Sequence, residues 1–186
     1  IAIFAKSIGN GHPMGAVIGT RAAMEGAQRS FISSTYWTEG VGFVAAKAVL
    51  QKMQRIDLPT HCANIGRRYL SAVLSTSAQH GVPVVRDGDI DEHPHVRFNH
   101  DQAPELQTLY IRLMLQCGFL TSNGMFVSLP HTEEVIDEYE LAMEGVFVQM
   151  ADALRDGDVS QRIDGLVAQP GFARLTDPTR VKGYAR

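Results

Sequence analysis

The chain has 186 residues, of which 45% are hydrophobic and 20% charged, with a net charge of -3. That composition is ordinary for a globular protein, and no stretch concentrates Lys and Arg as a nucleic-acid or anionic-membrane surface would. No apolar run approaches the ~20 residues that cross a bilayer, and the two cysteines, Cys62 and Cys117, form neither a metal-binding nor a redox spacing. The reading is therefore of a protein of a reducing cytoplasm that acts on small molecules, with no metal centre.

In chain order, residues 1–5 form a short continuous apolar run, read as a strand buried on both faces as in a parallel sheet. Lys6 follows, then the turn "SIGNGHPMG", then a second apolar run, "GAVIG". Thr20 is placed to cap a short helix carrying Ala22, Ala23 and Met24. "FISSTYWTEG" is aromatic and hydroxyl-rich without a helical period, and reads as a loop. Apolar residues at 41, 44, 45, 48 and 49 predict a helix over 41–55, and a longer one begins at Pro59 and runs to about Gln79, stopped by Gly81.

Beyond Gly81 the texture changes. "VPVVRDGDIDEHPHVRFNH" predicts two short strands around an acidic turn, and 101–117 a helix ended by Gly118. Asn123-Gly124 lies between apolar arms and predicts a hairpin. Thr132 caps a further helix, with Glu133 and Glu134 in its first turn, running to about Leu154. The last thirty residues predict irregular structure with one short helix near 158–167. The fold class expected is α/β followed by a smaller α+β group, divided as 1–80 and 81–186.

Most lysines at strand ends are ordinary surface groups whose stems cover apolar area. At Lys6 three features favour chemistry instead: an interior-type strand before it, glycines behind it that permit an unusual backbone path, and a semi-desolvated cleft in which an amine becomes nucleophilic. The glycines do not match a dinucleotide fingerprint, since G-x-G-x-x-x-G is one residue too long and Pro13 replaces the helix start. A phosphate loop of the Walker type also fails, because its lysine follows the glycines. A lysine-dependent aldolase without cofactor fits the nucleophile alone.

The segment "IAIFAKSIGNGHPMGAVIG" resembles the active-site lysine region of class III pyridoxal-phosphate-dependent aminotransferases, of fold type I, the family that includes glutamate-1-semialdehyde aminomutase. "FISSTYWTEG" resembles that family's phosphate-contacting loop, and "GMFVSLPHTEEVID" its C-terminal hairpin and helix start. The resemblance implies that 1–80 is the remainder of the cofactor-binding large domain and 81–186 the C-terminal small domain. It implies pyridoxal 5'-phosphate as cofactor, held by Lys6 as an internal aldimine, with Thr35 and its neighbour Ser34 at the phosphate. It further implies a homodimer with shared active sites, and a small-molecule amino donor and carbonyl acceptor.

Two departures stand out. Tyr36-Trp37-Thr38-Glu39 replaces a small, glycine-rich continuation, which alters the substrate entrance. The family's aspartate at the pyridine nitrogen, its ring-stacking aromatic and its glycine-serine phosphate turn all precede the lysine, so little transaminase activity is expected of this chain alone. A non-catalytic dimerisation or binding module derived from such an enzyme is the alternative.

His93, His95 and His100 lie among Asp91, Glu92 and Asp101, and His-x-His on a strand puts two rings on one face. A solvated turn is the commoner origin of such a cluster. Arg97 is expected to meet a carboxylate, His131 to cap structure, and the two "RDGD" stretches to be turns.

Overall fold

A computed structural model describes residues 1–168. The chain divides into two compact units, the first spanning Ile1–Leu58 and the second beginning at Pro59.

The first unit contains strands β1 (Ala2–Phe4) and β2 (Ala16–Ile18), a short helix α1 (Arg21–Met24) and helix α2 (Val41–Met53). The two strands pair antiparallel, with Ile3 opposite Val17. The expectation of a parallel strand buried on both faces is corrected: all three residues of β1 are exposed, and β2 is its partner in a two-stranded sheet. A short apolar run is the same in either kind of sheet. The glycine- and proline-bearing turn reverses the chain and sets the antiparallel sense. Thr20 caps α1 as its sequence predicts, its hydroxyl accepting from the Ala23 amide at 3.4 Å. Residues 31–40 form a loop and turn, again as predicted.

The second unit holds α3 (Leu58–Gln79), β3 (Val84–Asp87), β4 (His95–Phe98), α4 (Ala103–Gln116) and α5 (Glu133–Asp156). Its core is built by single stripes of the three helices. In α3 the stripe is Ile65, Tyr69 and Val73, in α4 Leu106, Tyr110 and Met114, and in α5 Met143, Phe147 and Met150. Spacings of three and four residues put each set on one side of its helix, where burial of apolar area stabilises the packing. β3 and β4 pair antiparallel, Val84 with Phe98 and Asp87 with His95, and Val96 and Phe98 face the core. Thr132 caps α5 through the Val135 amide, and the helix ends at Gly157, whose φ is 70°.

The structure corrects three further expectations. No hairpin forms at Asn123-Gly124. Residues 123–125 dock on the edge of β4 instead, the Val96 amide donating to the Asn123 carbonyl at 2.8 Å and the Met125 amide to the Pro94 carbonyl at 3.0 Å. The β4 edge supplies partners that the arms would otherwise have had to find in each other. The helix expected near 158–167 is a turn, closed by amides 161 and 162 on the Asp158 carbonyl and by Arg162 gripping Asp156 and Asp158. The expected irregular tail beyond 168 lies outside the described residues. Arg97 donates to the Asn99 side chain at 3.1 Å, and the carboxylate of Asp91 is taken by Arg67 and Arg86 at 2.9 and 3.0 Å.

Candidate active site

Lys6 opens a single 3-10 turn, Lys6–Ile8, directly after β1. Its φ is +53°, and that of Asn10 is +44°. For a side chain as long as lysine's the left-handed region costs roughly 1–2 kcal/mol, and such outliers cluster where a chain must aim a functional group. The turn is held by its own backbone: Gly9 N–H donates to the Lys6 carbonyl at 3.1 Å, and His12 N–H to the Gly9 carbonyl at 3.1 Å. Position 9 demands glycine because a Cβ there would overlap the His12 carbonyl oxygen and come within 3.1 Å of the Met14 Cβ. The Pro13 carbonyl lies against Gly42, so the start of α2 buttresses the far side of the turn.

The side chain of Lys6 is exposed and lines an open recess with Ser7, Asn10, Gly11, His12 and Pro13. The semi-desolvated cleft expected from the sequence is not formed by the described residues. Ser34 and Thr35 do not line that recess. They sit in the exposed loop before α2, where the Ser34 hydroxyl accepts from the Tyr36 amide at 3.3 Å. The Thr35 hydroxyl makes no hydrogen bond among the described residues and is open to a ligand. Glu39, one of the residues that depart from the family pattern, accepts from the Val41 amide at 2.9 Å and so closes the N-terminus of α2. Sequence reasoning passed over that role, although an acid just before a predicted helix is its usual signal.

These residues fit pyridoxal phosphate in the parts they supply. A primary amine stands accessible on a constrained turn, and an unengaged hydroxyl is available for a phosphate oxygen. Among the described residues no carboxylate lines the recess beside Lys6, and the His12 imidazole is the one ring that does.

A separate cavity of about 370 Å³ lies in the second unit, lined among others by Tyr69, Phe119, Met125, Phe126 and Tyr139. It holds none of the residues singled out for the lysine chemistry. His131 also borders it, and its Nδ1 accepts from the Ser128 amide at 3.0 Å, closing the turn before α5 as a structural group. His93 and His95 do come together, while His100 separately accepts from the Gln102 amide at 3.1 Å.

No protein-family model matches the chain. Among curated proteins it is 31% identical over 144 residues to a 2'-deamino-2'-hydroxyneamine transaminase of Streptomyces kanamyceticus, covering 74% of this chain and 36% of that protein. It is 28% identical to a 3-aminobutyryl-CoA aminotransferase of Cloacimonas acidaminovorans, covering 72% of this chain and 34% of the relative. A solved structure of the FumI protein of Sphingopyxis sp. MTA144, in its pyridoxal-phosphate internal aldimine form, superposes with a TM-score of 0.72 at 23% identity. That match covers 83% of this chain and 37% of the other. The chain thus spans about a third of the length of the curated relatives it matches. Its relatives are aminotransferases, and its fold is that of part of a fold-type I pyridoxal-phosphate-dependent transaminase.

Proposed function

We propose that the chain is the lysine-bearing part of a pyridoxal-phosphate-dependent aminotransferase. The observation that carries this reading is Lys6 itself: an exposed amine at a strand end, on a left-handed backbone that a glycine turn enforces, in a chain whose named relatives are aminotransferases. When bound, the cofactor would supply an electron sink for the carbon that bears the amino group.

The chain's own residues divide the remaining work. Lys6 Nζ tethers the cofactor, and once released as a free amine it takes and returns the proton at the substrate carbon. Thr35 Oγ1 donates to a phosphate oxygen, and Ser34, already accepting from Tyr36 N–H, retains its own proton to donate there as well. The resemblance puts the Thr35 hydroxyl at a neighbouring subunit's cofactor. Its absence from the Lys6 recess supports that arrangement and the homodimer it requires.

A small-molecule amino donor and carbonyl acceptor follow from the reaction class. The relatives' names favour transfer between molecules over the intramolecular shift of an aminomutase. A cytoplasmic location accords with the reading, and among the described residues no helix is long and apolar enough to cross a membrane.

Because among the described residues no carboxylate borders the recess to partner the pyridine nitrogen, the isolated chain is expected to bind cofactor without turning over. A binding or dimerisation module is the second reading, favoured by that same gap. The test is to add pyridoxal phosphate to the chain, reduce with borohydride, and map the modified peptide by mass spectrometry. Modification concentrated on Lys6 and lost in Lys6→Ala supports the enzyme reading. Labelling spread over Lys47, Lys52 and Lys182 no less than Lys6 sinks it.

A further inference from the structure

His93 sits in the bend that leads into β4 and His95 is the first residue of that strand, and the two rings meet edge to face. The two Nε2 atoms stand 2.9 Å apart, with the ring planes at 82°. Both rings are half-buried. Phe126 stacks on His93 with centroids 4.0 Å apart and planes 26° from parallel. Gly124 lies under the other ring, where a Cβ would come within 2.6 Å of the His95 imidazole. The backbone bonds Val96 N–H to Asn123 and Met125 N–H to Pro94 hold the two segments in register on either side.

We propose that His93 and His95 form a preorganised two-imidazole chelate for a divalent transition ion of tetragonal preference, Cu(II) or Ni(II). Metal–imidazole bonds run about 2.0–2.1 Å, so two cis ligands at a right angle place their nitrogens about 2.9 Å apart, whereas tetrahedral ligands stand about 3.3 Å apart. The observed 2.9 Å matches the right-angle case without ring movement. Both rings ligate through Nε2, so each carries its proton on Nδ1. Among the described residues no group of three or more His, Cys, Asp or Glu side chains is placed to hold a metal, so the remaining positions fall to water or to a small exogenous ligand. Cu(II) and Ni(II) also stand at the upper end of the affinity order for nitrogen ligands. Without metal, one ring donates its Nε2 proton to the other, an ordinary hydrogen bond at the same separation.

The experiment is a calorimetric titration of the full chain with Ni(II) at pH 7.5, joined to electron paramagnetic resonance of its Cu(II) form. The expected result is one equivalent of Ni(II) bound, with Kd at least tenfold weaker in His93→Gln and in His95→Gln and unchanged in His100→Gln. The Cu(II) spectrum should show coupling to two imidazole nitrogens. A measurement without variants is independent of any folding defect: substoichiometric Ni(II) should broaden the imidazole resonances of His93 and His95 before those of His12, His80 and His131. If the parent binds Ni(II) within twofold of the His93→Gln/His95→Gln double variant, or if another histidine broadens first, the contact is a hydrogen bond and nothing more.

Discussion

Three tyrosines that meet in the second unit lead to opposite stability changes from one substitution. The Tyr139 hydroxyl bonds to the Tyr110 hydroxyl at 2.6 Å and to Thr121 Oγ1 at 2.8 Å. The Tyr69 hydroxyl is buried beside them and interacts with the Tyr139 hydroxyl, but among the described residues it meets no partner at full hydrogen-bond geometry. Tyr69 and Tyr139 pack with ring centroids 5.6 Å apart, so apolar contact is comparable at both sites. Burial pushes the Tyr69 and Tyr110 phenols well above the ordinary tyrosine range, so all remain protonated at any working pH.

Tyr139→Phe removes a bond on each side and strands the Tyr110 hydroxyl in a site only 2% exposed, a loss of about 1–3 kcal/mol. Thr121 is spared, since its hydroxyl also reaches the Ser122 carbonyl at 3.3 Å. Tyr69→Phe removes an oxygen that gave up water for no more than a poorly aligned contact with Tyr139, and is expected to be neutral or stabilising by up to about 1 kcal/mol. Tyr110→Phe/Tyr139→Phe together should cost less than the sum of the single changes, because no stranded hydroxyl remains. Urea denaturation with linear extrapolation at constant slope measures all four. A loss above about 1 kcal/mol in Tyr69→Phe, or strict additivity in the double variant, would refute the assignment of bonds.

The turn behind Lys6 and the pH dependence of the acidic turn give two more tests. Gly9→Ala, whose methyl would overlap the His12 carbonyl, should cost about 1–3 kcal/mol locally and accelerate hydrogen exchange at the His12 amide; unchanged protection there would show that the turn yields freely. Hydrogen bonds from Arg67 and then from Arg86 hold the Asp91 carboxyl below its ordinary 3.8, so its stabilising contribution is complete above 3.8 and disappears as pH falls through the lower folded value. Asp91→Asn should therefore lower stability at neutral pH and converge with the parent in strong acid; a gap that persists there would assign the effect to something other than charge.

Where the signal was local, the sequence carried it into the structure. The stripe of α5 and its Thr132 cap, the span of α3 up to Gly81, the Thr20 cap and the β3–β4 pair are all fixed by neighbours a few residues away. The lysine segment was legible for the same reason, as its glycines state the backbone path around Lys6 before any packing is known. Pairing partners were not legible. The apolar run of β1 suits an interior strand, yet an apolar run does not say what will cover it, and among the described residues nothing does. Asn123-Gly124 had a hairpin's composition, but the free edge of β4 competed for the same amides and took them.

Local chemistry thus determined the helices, the caps and the identity of the one lysine set on a strained turn. Tertiary structure alone decided that the Tyr69 hydroxyl would be buried without a well-aligned partner, that Arg97 would miss a carboxylate, and that Phe126 would stack on the His93–His95 pair. The physical reason is distance along the chain: capping and periodicity are settled within one or two turns, while the Tyr69–Tyr139 packing, the capture of Asp91 by Arg67 and the Phe126 stack on His93 depend on where a segment tens of residues away comes to rest.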